Sequence, residues 1–173
     1  FLRYEQEHSR PLSDLLHTPE ALDQALRQLR DGGIPSRGVL IVEYAAEPFA
    51  PPLFRKFNTF RVGSSIFAHH IVIEDNWIVK YGMPGTVCPE EYQQYERAFV
   101  SGNWHAELLR RVFDIAGIEY GRADFGIVGG RVQVYEINTN PYLSGDPDNP
   151  SETRRATIAL SSRKLLDGRA ALH

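Results

Sequence analysis

The sequence predicts an α+β fold, a mostly antiparallel sheet flanked by helices, and three observations carry that prediction. Residues 53–62, 65–74 and 77–81 are rich in Phe, Ile, Val, Thr and Trp, with only Gly63-Ser64 and Asp75-Asn76 between them. That is the pattern of an antiparallel meander. Residues 121–128 and 132–138 repeat it around Gly129-Gly130, the signature of a hairpin. Elsewhere apolar residues recur at helical spacing.

The chain has 173 residues, 22 Asp and Glu against 19 Lys and Arg, and one cysteine. That length suits one domain with its own core. The mildly acidic, interspersed charge gives no footprint for nucleic acid, and no segment is apolar enough to span a membrane. Cys88 stands alone, which excludes a disulfide framework and a Cys-based zinc site and fits a reducing cytoplasm.

Taken in order, residues 1–5 read as a strand and 6–10 as a loop. Thr18-Pro19-Glu20 opens a helix with an N-cap, a proline at N1 and an early acid. Leu22, Ala25, Leu26 and Leu29 form its apolar stripe, and Gly32-Gly33 end it. The apolar run 39–44 is short enough for a buried strand. After the meander, Pro89-Glu90-Glu91 starts a second helix carrying Tyr92, Tyr95 and Phe99. Asn103 is the expected cap of a third, with Trp104, Leu108, Leu109, Val112, Phe113 and Ala116 ahead of Gly117. The stretch 144–150 is a loop by composition, and a last helix is expected over about 151–166.

The chemistry concentrates between residues 121 and 141. Arg122 and Asp124 are two apart, as are Glu136 and Asn138, so on strands each pair shares a face. Two carboxylates and a carboxamide converging beside an arginine make a hard-cation site next to an anion, the chemistry of magnesium with nucleotide phosphates. Parity constrains the hairpin. A strict two-residue Gly129-Gly130 loop opposes Asp124 to Tyr135 and turns Glu136 away, so only an odd-length loop assembles the site. A three-residue loop, 129–131, opposes Asp124 to Glu136 and Arg122 to Asn138, and is therefore the expected form. His69-His70 suggests no metal pair, because adjacent strand residues point to opposite faces.

The order Arg-x-Asp, hairpin, Glu-x-Asn-x-x-Pro resembles the C-terminal metal-binding signature of the ATP-grasp superfamily, in particular its D-alanine–D-alanine ligase and RimK-like branches. The resemblance implies an ATP-grasp fold fragment. Residues 1–44 would be the remainder of the small lid subdomain up to the hinge, and 45–173 the C-terminal subdomain with the magnesium and phosphate site. It implies ATP and two magnesium ions as cofactors. Asp124 would bind one ion, Glu136 bridge both and Asn138 complete the second, while Arg122 would stabilise the acyl-phosphate transition state. Glu43, Tyr44 and Ala45 would form the hinge whose backbone reads adenine, with Glu47 on the ribose hydroxyls. Lys80 best fits the basic residue on the triphosphate and Arg61 is second; Arg55 and Lys56 are adjacent, so at most one faces the site. Arg3 stands where the family holds a nucleotide-contacting lysine.

Loop 6–10, with His8, would occupy the place of the phosphate-covering loop but lacks its glycines. Loop 144–150 would be a substrate-side lid. The implied activity is an ATP-dependent carboxylate–amine or carboxylate–thiol ligase, with small-molecule or peptide carboxylates and amines as partners and homo-oligomerisation left open. Intact members carry a further N-terminal subdomain, expected ahead of Phe1. The alternative is a nucleotide-binding or regulatory module with the same fold and no complete catalysis.

Overall fold

In the computed structural model, which describes residues 1–5, 10–80, 82, 88–143 and 148–172, the chain forms two units, Phe1–Ala45 and Ala46–His173. In the first, β1 (Leu2–Tyr4) pairs antiparallel with β2 (Val39–Ile41), Leu2 opposite Ile41. Leu2 has no exposed surface; its N–H donates to Ser13 Oγ and its carbonyl accepts from Leu12 N–H, so both sides of the strand are satisfied. Helix α1 (Pro19–Asp31) starts as expected, with Thr18 Oγ1 accepting the Ala21 N–H at 3.2 Å. The expected strand over 39–44 ends early, at Ile41, so Glu43 and Tyr44 lie beyond it.

The second unit is a five-stranded antiparallel sheet with helices on both faces. Strand β4 (Leu53–Val62) is its axis: β5 (Ser65–Glu74) runs along one edge and β6 (Tyr120–Val128) along the other. The short β3 (Pro48–Ala50) pairs with the start of β4, and β7 (Arg131–Asn138) lines the outer edge of β6. Helices α2 (Glu90–Gly102) and α3 (Ala106–Ala116) cover the face carrying Phe57, Ala123 and Phe125. Phe57 stacks on Phe125 at 5.2 Å and meets Phe99 edge-on at 5.1 Å. Burying each such ring contributes roughly 1.5–3 kcal/mol. On the opposite face α4 (Glu152–Ala170) lays Leu165 on Phe60, Val62 and Phe67, and Gly168 gives it close approach to Phe67 and Val62. Among the described residues no helix is long and apolar enough to cross a membrane.

Three further expectations, in the second unit, are corrected. Residues 77–80 form bends rather than a strand. Asn76 Oδ1 takes the Ile78 N–H, and Glu74 Oε1 takes the amides of Lys80 and Gly82, so side chains capture the hydrogen bonds a neighbouring strand would need. Tyr81 lies outside the described residues. Asn103 does not open α3. It closes α2 in the left-handed conformation (φ 50°), and His105 precedes α3. From that position its carboxamide donates to Ile66 O at 2.9 Å and accepts from Ala68 N–H at 2.7 Å. It thus satisfies the Ile66 carbonyl and the Ala68 N–H of β5 as a neighbouring strand would. Finally, α4 continues past residue 166 to Ala170.

Candidate functional site

The face of the sheet opposite α2 and α3 carries a polar row that crosses four strands. Cross-strand register opposes His70 to Asn58, Asn58 to Asp124, and Asp124 to Glu136. The neighbouring row opposes Phe60 to Arg122 and Arg122 to Asn138. Opposed residues share a face, so Arg122, Asp124, Glu136 and Asn138 stand together there, as their spacing predicted.

The turn that builds this register is not the expected one. The loop is the two-residue Gly129-Gly130, with Val128 opposite Arg131 and both glycines at positive φ (55° and 73°). That is the primed turn whose twist suits a hairpin. Parity is restored higher up. Phe125 pairs with Val134 but Asp124 with Glu136, so Tyr135 is an extra, bulged residue. Its ring lies over Gly126, where a Cβ would fall 2.1 Å from the hydroxyl. A bulge, not an odd loop, turns Glu136 to the Asp124 side.

Asp124 is 1 % exposed and fully engaged. Oδ1 accepts from Arg122 Nε at 2.9 Å and Asn58 Nδ2 at 3.1 Å, and Lys56 Nζ pairs with Oδ2 at 3.0 Å. Two cations and a carboxamide compensate one buried carboxylate, the condition under which a buried charge is tolerated. Asn58 turns its amide to Asp124, and its buried Oδ1 has no hydrogen-bond partner among the described residues, next in the row to His70. Glu136 is exposed, and Asn138 Oδ1 accepts the Asn140 N–H at 2.8 Å.

The second surprise is on β5. Asn58 pairs with His70 but Thr59 with Ala68, so β5 also bulges, at His69. The expectation that the two imidazoles point apart is overturned. Their rings lie 4.6 Å apart with Nδ1 against Nδ1, and His69 meets the Phe60 ring edge-on at 4.9 Å. Burial, then Arg122 and Arg154, holds His69 down to about 4, with Asp124 pulling the other way. His70 is also held well below its ordinary value, first by burial and then by His69, Arg122, Arg154 and Lys56. Both are neutral imidazoles at pH 7. Arg154 sits at the β5 edge, paired with Glu96, whose other oxygen accepts the Ile71 N–H at 2.9 Å.

The remaining candidates are dispersed. Arg61 opposes Gly121, on the face away from the Arg122 row, and pairs there with Asp114 and the Gly63 carbonyl. The basic side chain that β4 brings to Asp124 is Lys56, and Arg55 turns to the other face among Phe49, Phe57 and Tyr95. Lys80 is half-buried in the bends after β5. Glu47 Oε1 accepts the Gly129 N–H at 3.0 Å and so clamps the hairpin turn. Within the first unit, Arg3 lies on β1, with Nε donating to the Tyr4 carbonyl; Glu43 and Tyr44 are exposed beyond β2, and Ala45 is half-buried. His8 and residues 144–147 of the expected lid lie outside the described residues.

Asn58 and Arg154 were not singled out from sequence, Lys56 was named only as the alternative to Arg55, and His69 and His70 only as a pair expected to point apart. Lys56 and Asn58 do alternate with Arg55, Phe57 and Thr59, but only the long-range pairing of β4 with β6 sets them against Asp124.

Two carboxylates and a carboxamide in adjacent rows are hard oxygen donors of the kind magnesium takes. The register sets Asp124 opposite Glu136, and Asp124 itself is held by the Lys56 ammonium and the Arg122 guanidinium. Among the described residues no three His, Cys, Asp or Glu side chains already converge as a metal cluster. Compared with protein families, with characterised proteins and with solved structures, the chain matches none.

Proposed function

We propose that the chain is part of an ATP- and magnesium-dependent ligase of the ATP-grasp type, which activates a carboxylate as an acyl phosphate for attack by an amine or thiol. The observation that carries this reading is the register: Asp124 opposite Glu136 and Arg122 opposite Asn138, on one face of one sheet. Asp124, Glu136 and Asn138 would hold magnesium, which when bound supplies positive charge against the transferred phosphoryl group. Arg122 reaches Asp124 through Nε and Nη2, and its Nη1 donates to the Tyr142 carbonyl at 3.3 Å. A guanidinium fixed on both sides is oriented before charge develops, the arrangement that stabilises a transition state without reorganisation.

Lys56 is better placed for the triphosphate-contacting role for which Lys80 was the first choice and Arg61 the second. Its ammonium lies against Asp124, so anionic oxygens arriving there meet it directly. Localisation in a reducing cytoplasm, the adenine hinge at Glu43 to Ala45, and the roles of Arg3, Glu47 and Lys80 belong to the same proposal.

A second reading is a nucleotide-binding or regulatory module that lacks turnover, and the saturation of Asp124 by Lys56, Arg122 and Asn58 favours it. ADP and phosphate release separates the two. The protein is incubated with Mg·ATP and pooled carboxylates, with and without pooled amines. ADP formed only when both pools are present supports the ligase. Nucleotide binding with no ADP formed from any pool supports the silent module.

A further inference from the structure

Nitrogen donors take up the whole of the Asp124 carboxylate. An ionised carboxylate has about four acceptor positions, two on each oxygen. On Oδ1 both are filled, by Arg122 Nε at 2.9 Å and Asn58 Nδ2 at 3.1 Å. On Oδ2 they receive Lys56 Nζ at 3.0 Å and Arg122 Nη2 at 3.5 Å. A divalent cation needs an oxygen with a free lone pair. Asp124 in this arrangement is therefore closed to one, and one of its donors must leave before it can take one.

Which donor can leave depends on how each is held. Arg122 spans both oxygens and is fixed from its other side by the Tyr142 carbonyl at 3.3 Å. Asn58 is fully buried in β4, paired with β5 on one side and β6 on the other. Lys56 makes one contact, from the end of a flexible four-carbon stem, and its side chain keeps part of its surface in water. Its departure leaves Arg122 and Asn58 on Asp124, so the buried carboxylate is never left without compensation. An ammonium drawn out of this contact needs another anion, and phosphate oxygens accept it in any direction.

We propose that Lys56 is a displaceable lock on Asp124. Its ammonium closes the carboxylate to a divalent cation, and the oxygens of a polyphosphate draw it away, so the two ligands are accepted together and neither is held well alone. The closing of Asp124 stands on the contacts; the choice of a polyphosphate as the key rests on the ligase reading. No covalent bond changes. One ammonium moves from a carboxylate to a phosphate oxygen, and the charge it leaves at Asp124 is taken over by the cation. Linkage makes the effect mutual: the factor by which polyphosphate raises cation affinity is the factor by which the cation raises polyphosphate affinity. The saturation of Asp124 is then a resting state of the site.

The probes are manganese(II), which shares magnesium's preference for oxygen donors, and inorganic tripolyphosphate. Equilibrium dialysis at constant ionic strength measures how much of each the protein retains, alone and together. The wild-type chain should retain little manganese alone and about one equivalent or more when tripolyphosphate is present. Lys56→Met should retain manganese without tripolyphosphate, at least tenfold more tightly than wild type, the scale of one hydrogen bond between charged groups. Tripolyphosphate should add less in that variant. Lys56→Gln, which keeps a donor on Asp124 without the charge, should gain less than Lys56→Met. Adding Asp124→Asn to Lys56→Met should remove the gain and so place it at Asp124. Arg131→Gln removes the same charge from an exposed position on β7 and should behave as wild type.

Manganese bound by the wild-type chain alone as tightly as by Lys56→Met overturns the lock, and so does an equal gain in Arg131→Gln, which would reduce the effect to net charge. Manganese retained by no variant under any condition overturns it as well. If Lys56→Met fails to fold, Lys56→Gln and the wild-type chain decide: equal retention of manganese alone by the two sinks the proposal. Manganese retained by Lys56→Met, with tripolyphosphate without effect on the wild type, would leave the lock standing and sink the ligase reading.

Discussion

At the scale of single residues, the polar face is a balance of buried charge. Asp124 keeps its carboxylate out of water because Lys56, Arg122 and Asn58 all reach it. Lys56→Met leaves Arg122 in place, so the expected loss of stability is about 1–3 kcal/mol, and denaturant titration measures it. The double variant Lys56→Met/Asp124→Asn should lose less than the sum of the two single changes, because the second removes the charge that the first leaves under-compensated. Additive losses would mean the pair contributes nothing.

His69 makes a pH prediction. In the unfolded chain it protonates near 6.5, in the folded protein only near 4. Between those values the unfolded state binds more protons, so stability falls as pH falls from 6.5 towards 4 and is flat in this respect below. The His69 part is on the order of 3 kcal/mol, and His70 acts in the same direction. His69→Phe should flatten much of the slope; a slope unchanged in that variant would show that other groups dominate.

At the scale of elements, what the sequence made legible depended on how local each signal was. The Thr18-Pro19 helix start and the position of the hairpin turn at Gly129-Gly130 are written in consecutive residues, although the turn has two residues where three were expected. The face shared by Asp124 and Glu136 was also anticipated, but by the wrong device, since the extra residue lies at Tyr135 rather than in the loop. A bulge leaves little local trace. Gly126, whose missing Cβ makes room for the Tyr135 ring, is the one residue that hints at it. The His69 bulge is harder still, because β4–β5 pairing creates it and neither imidazole looks unusual in sequence.

Asn103 misled because Asn suits both ends of a helix: it caps the start with its side chain and tolerates the left-handed conformation at the end. Here its carboxamide secures the β5 edge. Asn103→Gly keeps the left-handed backbone comfortable yet removes both edge hydrogen bonds, so it should destabilise by about 1–3 kcal/mol in thermal or denaturant unfolding. A neutral or stabilising result would mean that water or a neighbouring group replaces those bonds at no cost.

At the scale of the whole molecule, an antiparallel sheet has one face given to the aromatic core under α2 and α3. The other face is shared between α4 at the Phe60–Phe67 end and a polar field at the Asp124 end. Such a division gives a rigid support to one wall of charged side chains, the arrangement a preorganised site needs. The claim that this wall handles a magnesium nucleotide is tested most directly by calorimetric titration of the protein with ATP, with and without magnesium, beside Glu136→Ala. Glu136 is exposed, so its removal should leave the fold intact. ATP is expected to bind appreciably only with magnesium present, and Glu136→Ala to abolish this dependence. ATP binding that ignores magnesium, or magnesium-dependent binding that survives Glu136→Ala unchanged, would contradict the claim.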